Sequence, residues 1–364
     1  MKMLKELDLK GKRVFLRADL NVPLQDKKIL QDYRLEKILP TIDYIIKNGG
    51  KVILATHIGR PSAEKLTNFF DENLSTKILV PWFENKGYKI RYKIDLEKAK
   101  IYSHENFKEI LLLENLRFFN GEQGTIQERE TFAQILRQLA DVYVNDAFAL
   151  AHRDDTSVIL LPKLFKDKAN GLLVEQEITQ LTKIKKNVKQ PFMVIIGGNK
   201  IETKIPLLKS FIQNKTERPS TILIGGAIAN TFLNKNKQIN ETEKKFAQDF
   251  LKLAQEENIK ILLPIDQSKN DIGPKSIESF SQEIKKAKTI FINGTMGIYE
   301  NINSQTGTKE ILTAIAQSNA FTVAGGGDCI AAIYKFNLQD KFNFLSTGGG
   351  ATLAFLANEK LNFF

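Results

Sequence analysis

The sequence predicts an α/β protein made of two doubly wound parallel-sheet lobes joined by a helical hinge. Three observations lead there. Short apolar, β-branched runs recur along the chain, helix-period stripes separate them, and the residues that follow the runs change from basic to glycine-rich half-way along. With 364 residues the chain has material for two domains of roughly 100–200 residues each.

In the first half the candidate strands are Arg13–Arg17, Val52–Thr56, Leu111–Glu114 and Val142–Asn145. In the second they are Phe192–Ile196, Thr221–Ile224, Ile261–Pro264, Thr289–Ile292 and Phe321–Ala324. Each is a near-continuous apolar run, the pattern of a strand buried on both faces of a parallel sheet. Between them, Phe132, Ile135, Leu136 and Leu139 fall on one helix face. Phe246, Phe250, Leu253 and Ala254 do the same on a helix expected to start at Thr242 and to carry Lys252 towards its end. Both stripes are expected to face the core. The stretch Ala169–Lys185 reads as a mostly polar helix without an adjacent strand, and so as a rigid connector between two sheets. No repeat or low-complexity tract stands out.

Composition narrows the function. Apolar residues make up 42% and charged residues 26%, ordinary for a globular protein. No apolar run reaches the ~18 residues of a membrane span. The amino terminus carries charges where a signal peptide needs its apolar stretch, so a cytoplasmic protein is expected. The single cysteine, Cys329, excludes an intrachain disulfide and a cysteine-based zinc site. The net charge of +11 suits nucleic acid, an anionic membrane or small polyanionic substrates. Lys and Arg are scattered, with no basic run of five, which argues against the first two.

In open α/β sheets ligands bind beyond the carboxyl ends of the strands. In the first half those ends lead into Asp19-Leu-Asn21, His57-Ile-Gly59-Arg60, Asn115-Leu-Arg117 and Asp146 through His152-Arg153, with Arg34 in the polar stretch after the first strand. Arg34, Arg60, Arg117, Arg153 and His57 at converging exits make an electropositive pocket of planar donors suited to carboxylate and phosphate. The second half has glycines at the same places: Gly197-Gly198-Asn199-Lys200 with Lys204 a turn further on, Gly225-Gly226, Asn293-Gly294-Thr295-Met296-Gly297, Gly325-Gly326-Gly327-Asp328 and Ser346-Thr347-Gly348-Gly349-Gly350. Glycine lets backbone approach a ligand closely, and the N–H groups of a helix start attract phosphate. Asp328 is placed to face Mg²⁺.

Phosphate-loop, dinucleotide-fingerprint, protein-kinase and hydrolase-elbow motifs are absent. With three histidines, metal clusters and Ser-His triads have little material. His104 reads as an exposed helix-start residue; His152, beside Arg153, reads equally as an anion ligand or a structural residue. One half reading an anion with side chains, and the other binding phosphates with backbone, implies phosphoryl transfer between two substrates.

At these residues the sequence resembles the phosphoglycerate kinase family, in the same order along nearly the whole chain. Arg17-Ala-Asp-Leu-Asn-Val-Pro23, His57-Ile-Gly-Arg-Pro61, Glu114-Asn-Leu-Arg-Phe118 and Asn145-Asp-Ala-Phe-Ala-Leu-Ala-His-Arg153 look like its R-V-D-F-N-V-P, H-L-G-R-P, E-N-L-R-F and N-D-A-F-G-T-A-H-R. Four of the glycine turns, those at Gly197, Asn293, Gly325 and Ser346, resemble G-G-A-K, N-G-P-M-G, G-G-G-D-T and S-T-G-G-G.

The resemblance implies reversible, Mg²⁺-dependent phosphoryl transfer from 1,3-bisphosphoglycerate to ADP, giving 3-phosphoglycerate and ATP across a hinge-closing cleft. It implies two Rossmann-like lobes: residues 1–170 for the glycerate, and 171–355 for the nucleotide with a connector helix at about 171–185. A tail at about 356–364 would return to the first lobe. By similarity, Asp19 and Asn21 bond the glycerate end, His57, Arg60, Arg117 and Arg153 hold the non-transferring phosphate, and Arg34 bridges the carboxyl and the moving phosphoryl group. Lys200 and Lys204 meet the nucleotide phosphates with the N–H groups of Gly326, Gly327, Asp328 and Cys329. Glu300 takes the ribose and Asp328 the Mg²⁺. The catalytic set implied is Arg34, Lys204, Gly327 and Gly350. The family is typically monomeric, and neither nucleic acid nor membrane is an expected partner.

Four positions depart from the family pattern. Cys329 stands in place of threonine, Thr295 of proline, Asn199 of a small residue and Ala354 of glutamate. These keep open a second reading, a catalytically weakened relative serving as a binding protein. The missing fingerprint disfavours a third, a nicotinamide-dependent oxidoreductase. Cys329 itself reads as a buried, inert thiol rather than a redox switch.

Overall fold

A computed structural model describes residues 3–61, 70–214, 216–234 and 240–363; Met1 at the amino terminus and Phe364 of the tail lie outside them. By its internal contacts the chain divides into two compact units, Met1–Gln176 with Leu361–Phe364, and Glu177–Lys360.

The first unit holds a six-stranded parallel sheet. Its strands are β1 (Arg13–Ala18), β2 (Lys51–Ala55), β3 (Ile90–Lys93), β4 (Ile110–Leu113), β5 (Val142–Asp146) and β6 (Lys168–Asn170), in the spatial order β3-β4-β2-β1-β5-β6. The central strands are buried along almost their whole length, which is why they read as unbroken apolar runs. Two apolar clusters fill the unit, one around Val14, Leu16, Leu54 and Val144, the other around Phe15, Ile53, Leu111 and Tyr143. Successive residues of one strand thus serve different clusters, as the alternation of side chains along a strand requires.

The second unit repeats the plan. Its strands β7 (Phe192–Ile196), β8 (Thr221–Ile224), β9 (Lys260–Leu262), β10 (Thr289–Asn293), β11 (Phe321–Gly325) and β12 (Phe344–Leu345) form a parallel sheet in the order β9-β8-β7-β10-β11-β12.

All nine predicted strands are present, within two residues at each end. The differences have physical causes. The helix Leu172–Thr182 does have an adjacent strand, since β6 ends two residues before it. Three residues of polar and small side chains carry no periodicity to betray that strand; β3, at the edge of the sheet, is hidden because Arg91 and Lys93 interrupt its apolar run, and β12 has only two residues. His104 caps the end of the helix Leu96–Ser103 instead of opening one; it is exposed and its ring meets the Arg13 guanidinium at 2.9 Å. The helix Glu241–Glu256 is capped by Asn240, whose side chain accepts from the Glu243 N–H at 2.8 Å, so it starts before Thr242. Its stripe buries Phe250 and Ala254 but leaves Leu253 37% exposed, on the rim of the face. Leu361–Phe364 counts with the first unit: the Asn362 N–H donates to the Ala151 carbonyl at 2.8 Å, and Phe363 stacks on Phe148. Residues 356–360 count with the second.

Candidate active site

In a parallel sheet every strand ends on the same edge. In the first unit β4, β2, β1 and β5 are consecutive neighbours, so the turns carrying Arg117, His57 with Arg60, Asp19 with Asn21, and Arg153 emerge side by side. The structure brings all of them together. The Arg34 guanidinium, in the first turn of the helix Tyr33–Lys47, pairs with the Asp19 carboxylate. Asn21 Oδ1 accepts from the Gly59 N–H at 2.9 Å, tying the β1 exit to the β2 exit. Arg117 Nη1 donates to the Gly59 carbonyl at 2.6 Å, and Asn115 Nδ2 to that of Ile58 at 2.7 Å, so the β4 exit is fastened to the same loop. A cavity of about 600 Å³ opens here, lined by Arg60, Arg117 and Arg153 with Phe119, Asn120 and Gln123.

The electrostatics are those of a crowded cation. His57 is buried, and desolvation, then Arg17, Arg117, Arg153 and Arg34, hold its pKa well below the usual imidazole value. It is neutral at physiological pH. Burial, together with Arg153, Arg17 and Arg60, also weakens the hold of Arg117 on its proton, while Asp155 opposes the shift. Beneath the surface lies a layer that motif reading does not single out. Arg17, fully buried at the end of β1, donates from Nε to Ser157 Oγ at 2.7 Å and from Nη1 to the Ala18 carbonyl, and lies 3.6 Å from Glu122. Glu122 accepts from the N–H and hydroxyl of Ser157, yet burial outweighs Arg17 and lifts its pKa to about 7.

Among the buried side-chain atoms left without a hydrogen-bond partner at this edge are the nitrogens His57 Nδ1, Arg117 Nε and Nη2, and Arg153 Nε, together with Asp155 Oδ2. Unmet buried polar atoms are rare in native proteins and mark places where something else supplies the partner. Here they converge from three strand exits.

The second unit makes its edge from backbone. The exits of β8, β7, β10, β11 and β12 are again consecutive and carry the five glycine turns. They interlock: the Gly197 N–H donates to the Asn293 carbonyl and that of Gly198 to the Thr295 carbonyl, both at 2.9 Å. A Cβ on Gly294 would stand 2.2 Å from the Gly197 carbonyl oxygen, and its φ of +96° excludes most other residues. Lys204 Nζ bonds Asn293 Oδ1, and Asn293 Nδ2 donates to the Gly325 carbonyl at 2.9 Å, so one asparagine aligns the lysine with the Gly325–Asp328 turn. Desolvation lowers the Lys204 pKa against the opposing pull of Cys329 and Asp328.

A cavity of about 440 Å³ borders this edge, lined among others by Gly198, Asn199, Thr295, Tyr299, Glu300 and Asp328. Gly326 precedes the helix Gly327–Lys335, whose first turn holds exposed Asp328 and fully buried Cys329. Lys200 and Gly350 are exposed and border neither cavity. Of the departing positions, Asn199 and Thr295 line this cavity, Cys329 is fully buried next to Asp328 of its wall, and Ala354 is buried in the last helix. No helix among the described residues is long and apolar enough to cross a membrane, and no cluster of three His, Cys, Asp or Glu among them forms a ready metal cage.

Comparison with known proteins adds an independent line. The family model described as phosphoglycerate kinase matches residues 4–270 and 266–359. A phosphoglycerate kinase of Finegoldia magna is 38% identical over 396 residues, covering 99% of this chain and 97% of its own length. One from Thermosipho africanus is 38% identical over 400 residues, covering 98% and 95%. Among solved structures, the phosphoglycerate kinase of Pyrococcus horikoshii superposes with a TM-score of 0.83 at 31% identity, covering 100% of this chain and 97% of that one.

Proposed function

The chain belongs to the phosphoglycerate kinase family, and we propose that its first unit takes the glycerate substrate while its second takes the nucleotide. The reaction is the glycolytic one, reversible phosphoryl transfer between 1,3-bisphosphoglycerate and ADP. No observation favours the reading of a non-catalytic binding relative.

One observation carries the division of labour. The first unit keeps four unbonded polar atoms of His57, Arg117 and Arg153 at one sheet edge, and a phosphate with its several acceptor oxygens satisfies such donors at once. Arg60 completes the phosphate site, and neutral His57 contributes a hydrogen bond rather than a charge. Asp19 and Asn21 bond the hydroxyl end of the glycerate. Arg34, which is partly exposed and held by Asp19, reaches the carboxyl group and the moving phosphoryl group and offsets charge as it spreads. No general base is required, because the acceptor carboxylate is already ionised at neutral pH. Catalysis then rests on alignment and charge neutralisation.

In the second unit Lys204, aimed by Asn293, meets the transferring phosphate, and the N–H groups of Gly326, Gly327, Asp328 and Cys329 receive the nucleotide phosphates at the start of their helix. Glu300 holds the ribose. Lys200 and Gly350, exposed and outside the cavity wall, join this site on the family resemblance alone. The donor set fits Mg²⁺: Asp328 is an exposed carboxylate on the cavity wall, and Mg²⁺ characteristically takes one or two carboxylates and completes its shell with phosphate oxygens and water. Bound there, the ion neutralises phosphate charge.

Replacing Arg34 tests the assignment. Arg34→Ala should lower kcat by about a hundredfold or more while ADP affinity stays within about twofold of the parent. A coupled assay of ATP formation from 1,3-bisphosphoglycerate, with calorimetric ADP titration, reads both; unchanged kcat refutes the role given to Arg34.

A further inference from the structure

Asp155 is an anomaly in the first unit. It is a carboxylate, 2% exposed, that faces Arg117, itself crowded by Arg17 and Arg153, at the edge that is to receive an anion. It occupies the residue before the short helix Thr156–Ile159, where aspartate ordinarily caps the helix with its side chain, yet it makes no such bond. Its carboxylate turns the other way. Oδ1 accepts from Gln123 Nε2 at 2.6 Å, and Oδ2, without a hydrogen-bond partner, lies 3.9 Å from Arg117 Nη2.

Arg117 is arranged to match. Its Nη1 is committed to the Gly59 carbonyl, while the Nε and Nη2 donors, the fork that grips an oxyanion in two parallel bonds, are unbonded. The nearest carboxylate to that fork is Asp155, close enough for an ion pair and too far for a hydrogen bond. Glu122, another buried carboxylate here, is already satisfied by Ser157 and answers Arg17.

We propose that Asp155 is an internal competitor for the Arg117 fork, a positioning residue that aims the guanidinium and weakens the grip of the site on phosphate-bearing substrate so that product can leave. This rests on the reading of the first unit as the glycerate site. A negative charge fixed beside the fork repels an incoming phosphate, and it also compensates the arginine cluster while the site is empty. The two effects have opposite consequences for binding and for stability, which separates this role from a merely structural one.

Asp155→Asn keeps the shape and the acceptor for Gln123 but removes the charge. The KM for 3-phosphoglycerate and the inhibition constant of inorganic sulfate should each fall by about tenfold, the size of one unscreened charge roughly 6 Å away in a half-polar medium. The KM for ATP should not move. The melting temperature without ligand should drop, and sulfate should raise it by more than it does in the parent. Should Asp155→Asn fail to fold, Asp155→Ser, a good residue at a helix start, removes the same charge and carries the same expectation. A lower melting temperature with unchanged or raised KM for 3-phosphoglycerate overturns the proposal. Arg153→Ala, measured alongside, tests the underlying reading: if it leaves that KM unchanged the glycerate assignment fails, whereas a raised KM there with no response in the Asp155 variants sinks only the role of Asp155.

Discussion

The two units bring their functional turns to the same sheet edge, and they prepare it by opposite means. In the first, polar side chains are gathered in advance and left with unmet hydrogen bonds at His57, Arg117 and Arg153. In the second, side chains are removed until backbone groups stand bare, and Gly197, Gly226 and Gly294 pack against neighbouring main chain. Among the described residues, the unpartnered buried polar atoms fall almost entirely in the first unit; Gln339 Oε1 is the exception. A site made of side chains stores its readiness as electrostatic tension, whereas a site made of backbone stores it as tight steric fit. The two should therefore fail differently, the first with pH and charge, the second with volume.

The largest effect expected is steric. Gly294→Ala places a methyl group 2.2 Å from the Gly197 carbonyl at a φ of +96°. Both neighbours are main chain and cannot swing aside, so the second unit should lose about 3 kcal/mol or more, seen as a lowered midpoint in urea. Retention of the parent midpoint would show that the glycine turns are looser than their interlocking implies.

The first unit should respond to pH. Glu122 and Asp146 are fully buried, and desolvation raises each to about 7 from ordinary values of 4.5 and 3.8. A carboxyl whose pKa is higher in the folded state binds more protons there than in the unfolded chain. Stability is then lost as pH rises from about 4 to about 7 and is level above that. The contribution is on the order of 3 kcal/mol for each group across the window. Melting temperatures at pH 5 and pH 8 should differ in that sense, and the difference should shrink in Glu122→Gln; an equal slope in parent and variant would remove Glu122 from the account.

These two modes were unequally legible in the sequence. A glycine turn is local: Gly197-Gly198, Asn293-Gly294 and Gly325-Gly326-Gly327 each follow a strand directly, so a few consecutive residues disclose them. The arginines at the first unit's exits are legible likewise, because parallel strands deliver their ends to one edge. The layer beneath is not. Arg17 meets Ser157 across 140 positions and Gln123 meets Asp155 across 32, and nothing in either neighbourhood marks the pairing. Asn293, which aims Lys204 from 89 positions away, is hidden inside a motif that reads as a glycine turn. Strands escaped where they were too short for a period to show, as in Lys168–Asn170 and Phe344–Leu345. What sequence conveys well is the residue that acts through its own turn; what it conceals is the residue that acts through a distant partner.

A smaller perturbation separates bare backbone from tight backbone within the second unit. A Cβ on Gly327 would meet no atom within 4 Å, and its φ is not in the left-handed region. Gly327→Ala should therefore keep or slightly raise stability, by about 0.5–1 kcal/mol, since alanine suits a first helical turn better. If that open space belongs to a phosphate, the KM for ATP should rise by about tenfold all the same. An unchanged KM would move the phosphate away from Gly327 and leave its bareness without a ligand to explain it.

The smallest expected effect is at Cys329. Its side chain lies fully buried at the start of the Gly327–Lys335 helix, a position that elsewhere activates thiols. Burial prevails here: it pushes the thiol up to about 12, against a backbone N–H bond from Gly294 and the charge of Lys204, which favour the thiolate. At pH 8 the folded protein should therefore be inert to an aromatic disulfide reagent, with labelling only as fast as global unfolding in urea admits it. Rapid labelling of the native protein would mean that the turn around Gly294 and Gly325 opens on its own. The second unit would then share the electrostatic tension that otherwise distinguishes the first.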